Sequence, residues 1–271
     1  MTRDITIGQF LPGDSIIHRL DPRIKTLLAL FYMVTLFVAQ SAVGLAISAL
    51  FILFVAVLAH IPFRMLLSGI RPLIIIIIIA GVFNMFYIPG HALWHFGILT
   101  ITREGIGTAA FMGIRVIFLI LGASMLTYTT SPILLTDGLD SMLSPLAKLH
   151  FPVHELSMMM TIALRFIPTL TEETQKIMQA QKARGADFES GNILRRAKAL
   201  LPILIPLFVS AFRRADELAL AMDCRCYRGG EGRTKLHILR LQKRDGLAVC
   251  TSSLLFVIVL PLNFVLPHAY C

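Results

Sequence analysis

Charge is what this chain has little of. Only 15% of its 271 residues are charged, and 16 acidic side chains face 25 lysines and arginines. With 56% hydrophobic residues and a mean hydropathy of +0.76, the chain is too apolar for an ordinary soluble domain and reads as an integral membrane protein. The net charge of +9 then points to basic loops held on one side of a bilayer rather than to nucleic acid.

Other absences narrow the chemistry. Four cysteines (Cys224, Cys226, Cys250 and Cys271) are too few for a disulfide framework in a chain of this size. Cys224-x-Cys226 followed by His237 lacks the second ligand pair of a zinc site, so no metal is expected. Asp137, Asp140, His150 and His154 carry no His-Glu-x-x-His or nucleophile-elbow pattern, which leaves a membrane enzyme acting on lipids or peptides as a weak alternative. Tyr227 to Thr234 is rich in glycine but lacks the Gly-Lys-Ser/Thr ending of a phosphate loop, so no nucleotide or other cofactor is expected in this chain. Met1 to Pro12 has no apolar core and does not read as a cleaved signal peptide.

What is present is a series of apolar runs. Five are long enough to cross a bilayer as helices: Thr26 to Ser41, Val43 to His60, Pro72 to Pro89, Gly105 to Thr130 and Gly246 to Leu266. Basic residues precede the first run at Arg19, Arg23 and Lys25 and recur between the second and third at Arg64 and Arg71. The opposite tips carry almost none. This alternation predicts a cytoplasmic N-terminus and, after five spans, an external C-terminus. Few ionisable residues fall inside the spans, which argues against a self-sufficient carrier or channel. The exception is Arg115, deep in the fourth run, for which snorkelling, helix–helix bonding or partner contact all stand open. Asp21-Pro22 is a helix start, with aspartate as cap and proline in the first turn.

Eight of the basic residues lie before residue 131 and seventeen between Ser131 and Asp245. That region predicts three cytoplasmic helices, at Ser131 to Lys148, Val153 to Arg184 and Arg196 to Arg225. The apolar stretch Ala199 to Phe212 is bracketed by Arg195, Arg196 and Lys198 before and Arg213 and Arg214 after, so a span would carry one basic cluster across the membrane. With each such residue costing roughly 2.5–3.5 kcal/mol at a helix centre, a surface-parallel amphipathic helix is the expected state. The organisation is therefore residues 1–130 with four spans, 131–245 as a cytoplasmic helical domain, and 246–271 as a last span. The fold class is all-α: an integral membrane protein with about five transmembrane helices and three amphipathic cytoplasmic ones.

Two predicted helix ends carry matching motifs, Ala183-Arg184-Gly185 and Cys224-Arg225-Cys226, 41 residues apart. A glycine just past a helix end with a nearby cation is an ordinary C-cap. The repetition also fits two arginine forks offered to partner grooves. Together with His18-Arg-Leu-Asp-Pro-Arg-Ile-Lys25, Leu134-Leu-Thr-Asp-Gly-Leu139 and the run Asp216 to Thr234, these motifs make the chain resemble EcfT, the transmembrane scaffold of energy-coupling factor transporters, over nearly its whole length.

The resemblance implies a non-catalytic subunit of a vitamin or micronutrient importer. In that family, two ABC-type ATPases (EcfA and EcfA') bind the ATP and receive X-Arg-X motifs in their grooves. One or more small membrane S components bind the substrate. Carried over, the docking residues are Ala183, Arg184 and Gly185, and Cys224, Arg225 and Cys226. The second set departs from the family, whose motif has Ala and Gly where Cys224 and Cys226 stand. Tyr227-Arg228-Gly229 remains an alternative frame.

Overall fold

Asp21 starts the first helix as predicted: its carboxylate accepts from the Arg23 amide at 2.9 Å, and Pro22 occupies the first turn, where its missing N–H costs nothing. The computed structural model describes residues 10–87, 91–96, 99–149, 151–188, 192–229, 239 and 241–265. His150, Gly230 to Thr234, His237, His268 and Cys271 lie outside them.

The described chain divides into two compact units, residues 1–138 with 238–271, and residues 139–237. In the first unit, α1 (Pro22–Val38) and α2 (Ala42–Leu58) each have 17 residues, with Ser41 capping α2 through the Gly44 amide. At roughly 1.5 Å per residue they sit at the short end of what crosses a bilayer. Next come α3 (Phe63–Ile70) and α4 (Ile74–Tyr87), joined by one 3₁₀ turn at Arg71–Leu73 around Pro72. The 25 residues Phe63–Tyr87 are long and apolar enough to span, as are α5 (Arg103–Thr129) and Lys243–Asn263 within α9 (Lys243–Val265). The connection ahead of α5 holds a short antiparallel hairpin of Ala92–Phe96 and Leu99–Thr102. The remaining body is helical.

Small residues set how closely these helices pack. A Cβ on Gly122 of α5 would stand 2.7 Å from the Tyr32 ring of α1, and one on Gly44 of α2 would stand 3.4 Å from Val259 of α9. Such positions let backbones approach where lipid supplies no hydrophobic drive between helices. By contrast, Ile75, Ile76, Ile78 and Ile79 of α4 are exposed, as expected of a surface that faces lipid or a membrane partner.

Polar side chains inside the first unit close helix ends. Arg115 is buried on α5; it donates to the Ala39 carbonyl at the end of α1, and its guanidinium lies 4.7 Å from the centre of the Phe111 ring. Helix–helix bonding, one of the roles open to it from sequence, is thus seen. Asn263 of α9 donates to the Val38 carbonyl at 2.6 Å and accepts from the Gln40 amide at 3.0 Å, so one side chain pairs two backbone groups of the α1–α2 turn. At the other end, buried Asp245 accepts from the Asp21 and Gln242 amides, while Lys25 donates to the His18 and Thr129 carbonyls.

The chain then passes through α6 (Pro132–Leu143), which gives way to a 3₁₀ segment at Ser144–Leu149 because Pro145 disfavours α geometry at Ser144. The helix expected to reach Lys148 therefore ends earlier in α-helical form. The second unit is dominated by α7 (Val153–Ala183) and α8 (Ile193–Cys224), which pack on each other. Along α8, Leu201, Ile205, Phe208, Val209 and Phe212 are exposed at helical spacing, a continuous apolar stripe on the helix.

Candidate functional site

Both arginine motifs form the same backbone structure. Arg184 is the C-cap of α7, immediately after Ala183; Gly185 has φ +88°, the Gly185 amide donates to the Lys182 carbonyl at 3.0 Å, and the Ala186 amide reaches back to Gln181 at 3.0 Å. Arg225 is likewise the C-cap of α8, immediately after Cys224; Cys226 has φ +57° and its amide donates to the Asp223 carbonyl at 2.9 Å, and the Tyr227 amide donates to the Met222 carbonyl at 3.1 Å. This paired pattern of 6→1 and 5→2 bonds is a Schellman ending, and it turns the chain sharply after the arginine. Cysteine thus stands in a left-handed position that glycine occupies at the first site.

The two frames considered for the second motif are therefore not equivalent. Arg225 has the backbone position of Arg184, whereas Arg228 lies beyond the turn. Ala183, Arg184 and Gly185, and Cys224, Arg225 and Cys226, are all exposed. No added Cβ at Gly185 would meet another atom within 4 Å, so its glycine answers to φ rather than to crowding.

One contact between the helices relates the two ends. Arg214 of α8 donates to Glu173 of α7 at 3.1 Å, and these residues are 41 apart in sequence, the same offset as Arg184 and Arg225. Equivalent positions along the two helices therefore meet at this crossing contact. Each arginine follows its crossing residue by eleven positions, about 16 Å along a helix at 1.5 Å per residue. A hydrogen bond from the Ser210 hydroxyl, together with Arg214, holds the Glu173 carboxyl below the usual glutamate range. Sequence reasoning missed this clasp, although the offset that matched the motifs also pairs Glu173 with Arg214.

Of the residues weighed for catalysis or metal binding, His150 and His237 lie outside the described residues. Among the described residues, no three of His, Cys, Asp and Glu come together as a metal group. Cys224 and Cys226 are free thiols, and Asp140 is buried in α6.

Comparison with known proteins covers the whole arrangement. The family profile described as cobalt transport protein, CbiQ, matches residues 13–236. A protein of Acidaminococcus fermentans is 56% identical over 267 residues, spanning 98% of this chain and 100% of its own. One of Thermosediminibacter oceani is 54% identical over 255 residues, 94% of this chain and 96% of its own. One of Clostridium kluyveri is 52% identical over 263 residues, 96% and 97%. All three are called energy-coupling factor transporter transmembrane protein EcfT.

Proposed function

This chain belongs to the CbiQ family and, within it, to the EcfT transmembrane components of energy-coupling factor transporters, and we propose that α7 and α8 couple two ATPases to a substrate-binding membrane partner. The observation that carries the reading is the pair of identical helix endings at equal distance from one clasp. Two related ATPases closing on ATP would present two related grooves, and a pair of equal arms with one arginine each matches that symmetry. A guanidinium keeps its charge and can bond two acceptors at once, and the sharp turn behind it clears the way for a groove to enclose it. Opening or closing of the ATPases would then swing the arms about the Glu173–Arg214 crossing.

In this reading ATP is bound only by the ATPases, and the chain itself is non-catalytic. The exposed stripe on α8 suits an S component or the bilayer surface, and the substrate is a vitamin or other micronutrient. The seventeen basic residues between Ser131 and Asp245 support a cytoplasmic position for the second unit, with the N-terminus on the same side.

The test is copurification. Arg184→Glu with Arg225→Glu should release both ATPases from solubilised membranes and abolish ATP-dependent uptake, while the chain itself still inserts. Retained ATPases with unchanged uptake would defeat the proposal. Arg228→Glu should have little effect.

A further inference from the structure

α2 and α9 run antiparallel and diverge. They meet where Gly44 faces Val259, and toward the opposite end, where α2 finishes and α9 begins, they flank a cavity of about 380 Å³. Phe54 and Leu58 of α2 form one wall, Leu247 and Thr251 of α9 the other, and Ala29 and Tyr32 of α1 the floor. Phe54 is 61% and Leu247 68% exposed, so the groove opens sideways between two helices of the membrane unit.

The interior suits hydrocarbon and little else. The Tyr32 hydroxyl donates to the Ser48 carbonyl at 3.2 Å, the Thr251 hydroxyl donates to Ala248 of its own helix, and Lys25 is engaged by the His18 and Thr129 carbonyls. A polar solute would find these groups already occupied, at the cost of its own lost hydration. The mouth differs. Arg244 lines it, Lys243 precedes Arg244 on the first turn of α9, and both are exposed. The adjacent carboxylate of Asp245 has both oxygens bonded, one by the Asp21 amide and one by the Gln242 amide.

We infer that this groove holds one acyl chain of an anionic phospholipid, with the phosphate at Arg244. An apolar slot open to the acyl region and capped by a guanidinium matches both halves of such a molecule, and Arg pairs with phosphate through two parallel bonds. The inference rests on the membrane embedding of the first unit and not on where the ATPases dock.

Native mass spectrometry of the full chain, purified with its partners and exposed to phosphatidylglycerol or phosphatidylcholine of the same chain length, tests it. One phosphatidylglycerol should survive delipidation, with at least a tenfold preference over phosphatidylcholine. Ala248→Phe, which narrows the groove, should abolish retention, and Arg244→Glu should remove the preference. ATPase copurification should persist in both variants, which separates this result from failure of the docking proposal. Should Ala248→Phe fold poorly, the indole fluorescence of Leu247→Trp in a Trp94→Phe background should be quenched more strongly by brominated phosphatidylglycerol than by brominated phosphatidylcholine. Equal retention of the two lipids, or equal quenching, overturns the inference. So does protection of Leu247→Cys from alkylation by a partner subunit in the delipidated complex, which would make the groove a protein contact.

Discussion

Cys226 takes the backbone conformation that Gly185 takes at the other helix end, with φ +57° against +88°. A side chain with a Cβ costs about 1–2 kcal/mol in this region, a cost glycine avoids. Four hydrogen bonds, two at each end, nevertheless build the same turn, so the backbone geometry of the helix end is kept with cysteine in the left-handed position. Cys226→Gly should therefore strengthen the last turn of α8 by about 1 kcal/mol, seen as slower amide exchange at Cys226 and Tyr227. ATPase recovery should stay as it is. Unchanged or faster exchange would show that the left-handed residue carries no strain. Arg115 teaches the complementary point: an intramembrane charge that reads from sequence as a functional candidate is occupied with the Ala39 carbonyl.

Among the elements, α7 and α8 are joined by a half-exposed clasp. Its importance is positional, since exposed ion pairs contribute little to stability and this one sits where two arms cross. Glu173 has its folded pKa lowered, so whatever the pair contributes is present above the ordinary glutamate pKa of about 4.3 and is lost as pH falls through the lower folded value. At neutral pH the charge is fully in place. Glu173→Arg should reduce coupled uptake several-fold with the ATPases still bound. Adding Arg214→Glu should restore much of it, as measured by transport in proteoliposomes. Failure of the reversed pair to rescue would mean that the crossing does not depend on this contact. The helix ends were legible in the sequence because caps, prolines and glycines act locally. The clasp was not, because the 3.6-residue period tells which face of a helix is apolar but not which partner residue meets it.

At the scale of the molecule, the proposed sidedness makes a direct prediction. In a chain with Cys250→Ala and Cys271→Ala, Cys224 and Cys226 should resist a membrane-impermeant maleimide in intact cells and react after permeabilisation. Bound ATPases should slow that reaction. Labelling in intact cells would invert the topology and remove the ATPases from reach of Arg184 and Arg225.

By itself, the sequence determined that this is a helical membrane protein, where most helices begin and end, and that two arginine ends repeat at one spacing. Those properties follow from hydropathy, charge and capping, each read within a few neighbouring residues. Only the tertiary structure decided that Arg115 and Asn263 close the α1–α2 turn, that Glu173 meets Arg214, that Cys226 adopts the glycine conformation, and that α2 and α9 part to leave a groove. These depend on which helices lie side by side and at what height, and every helix of similar hydropathy leaves that choice open until the close contacts of Gly44 and Gly122 and the buried hydrogen bonds select one packing.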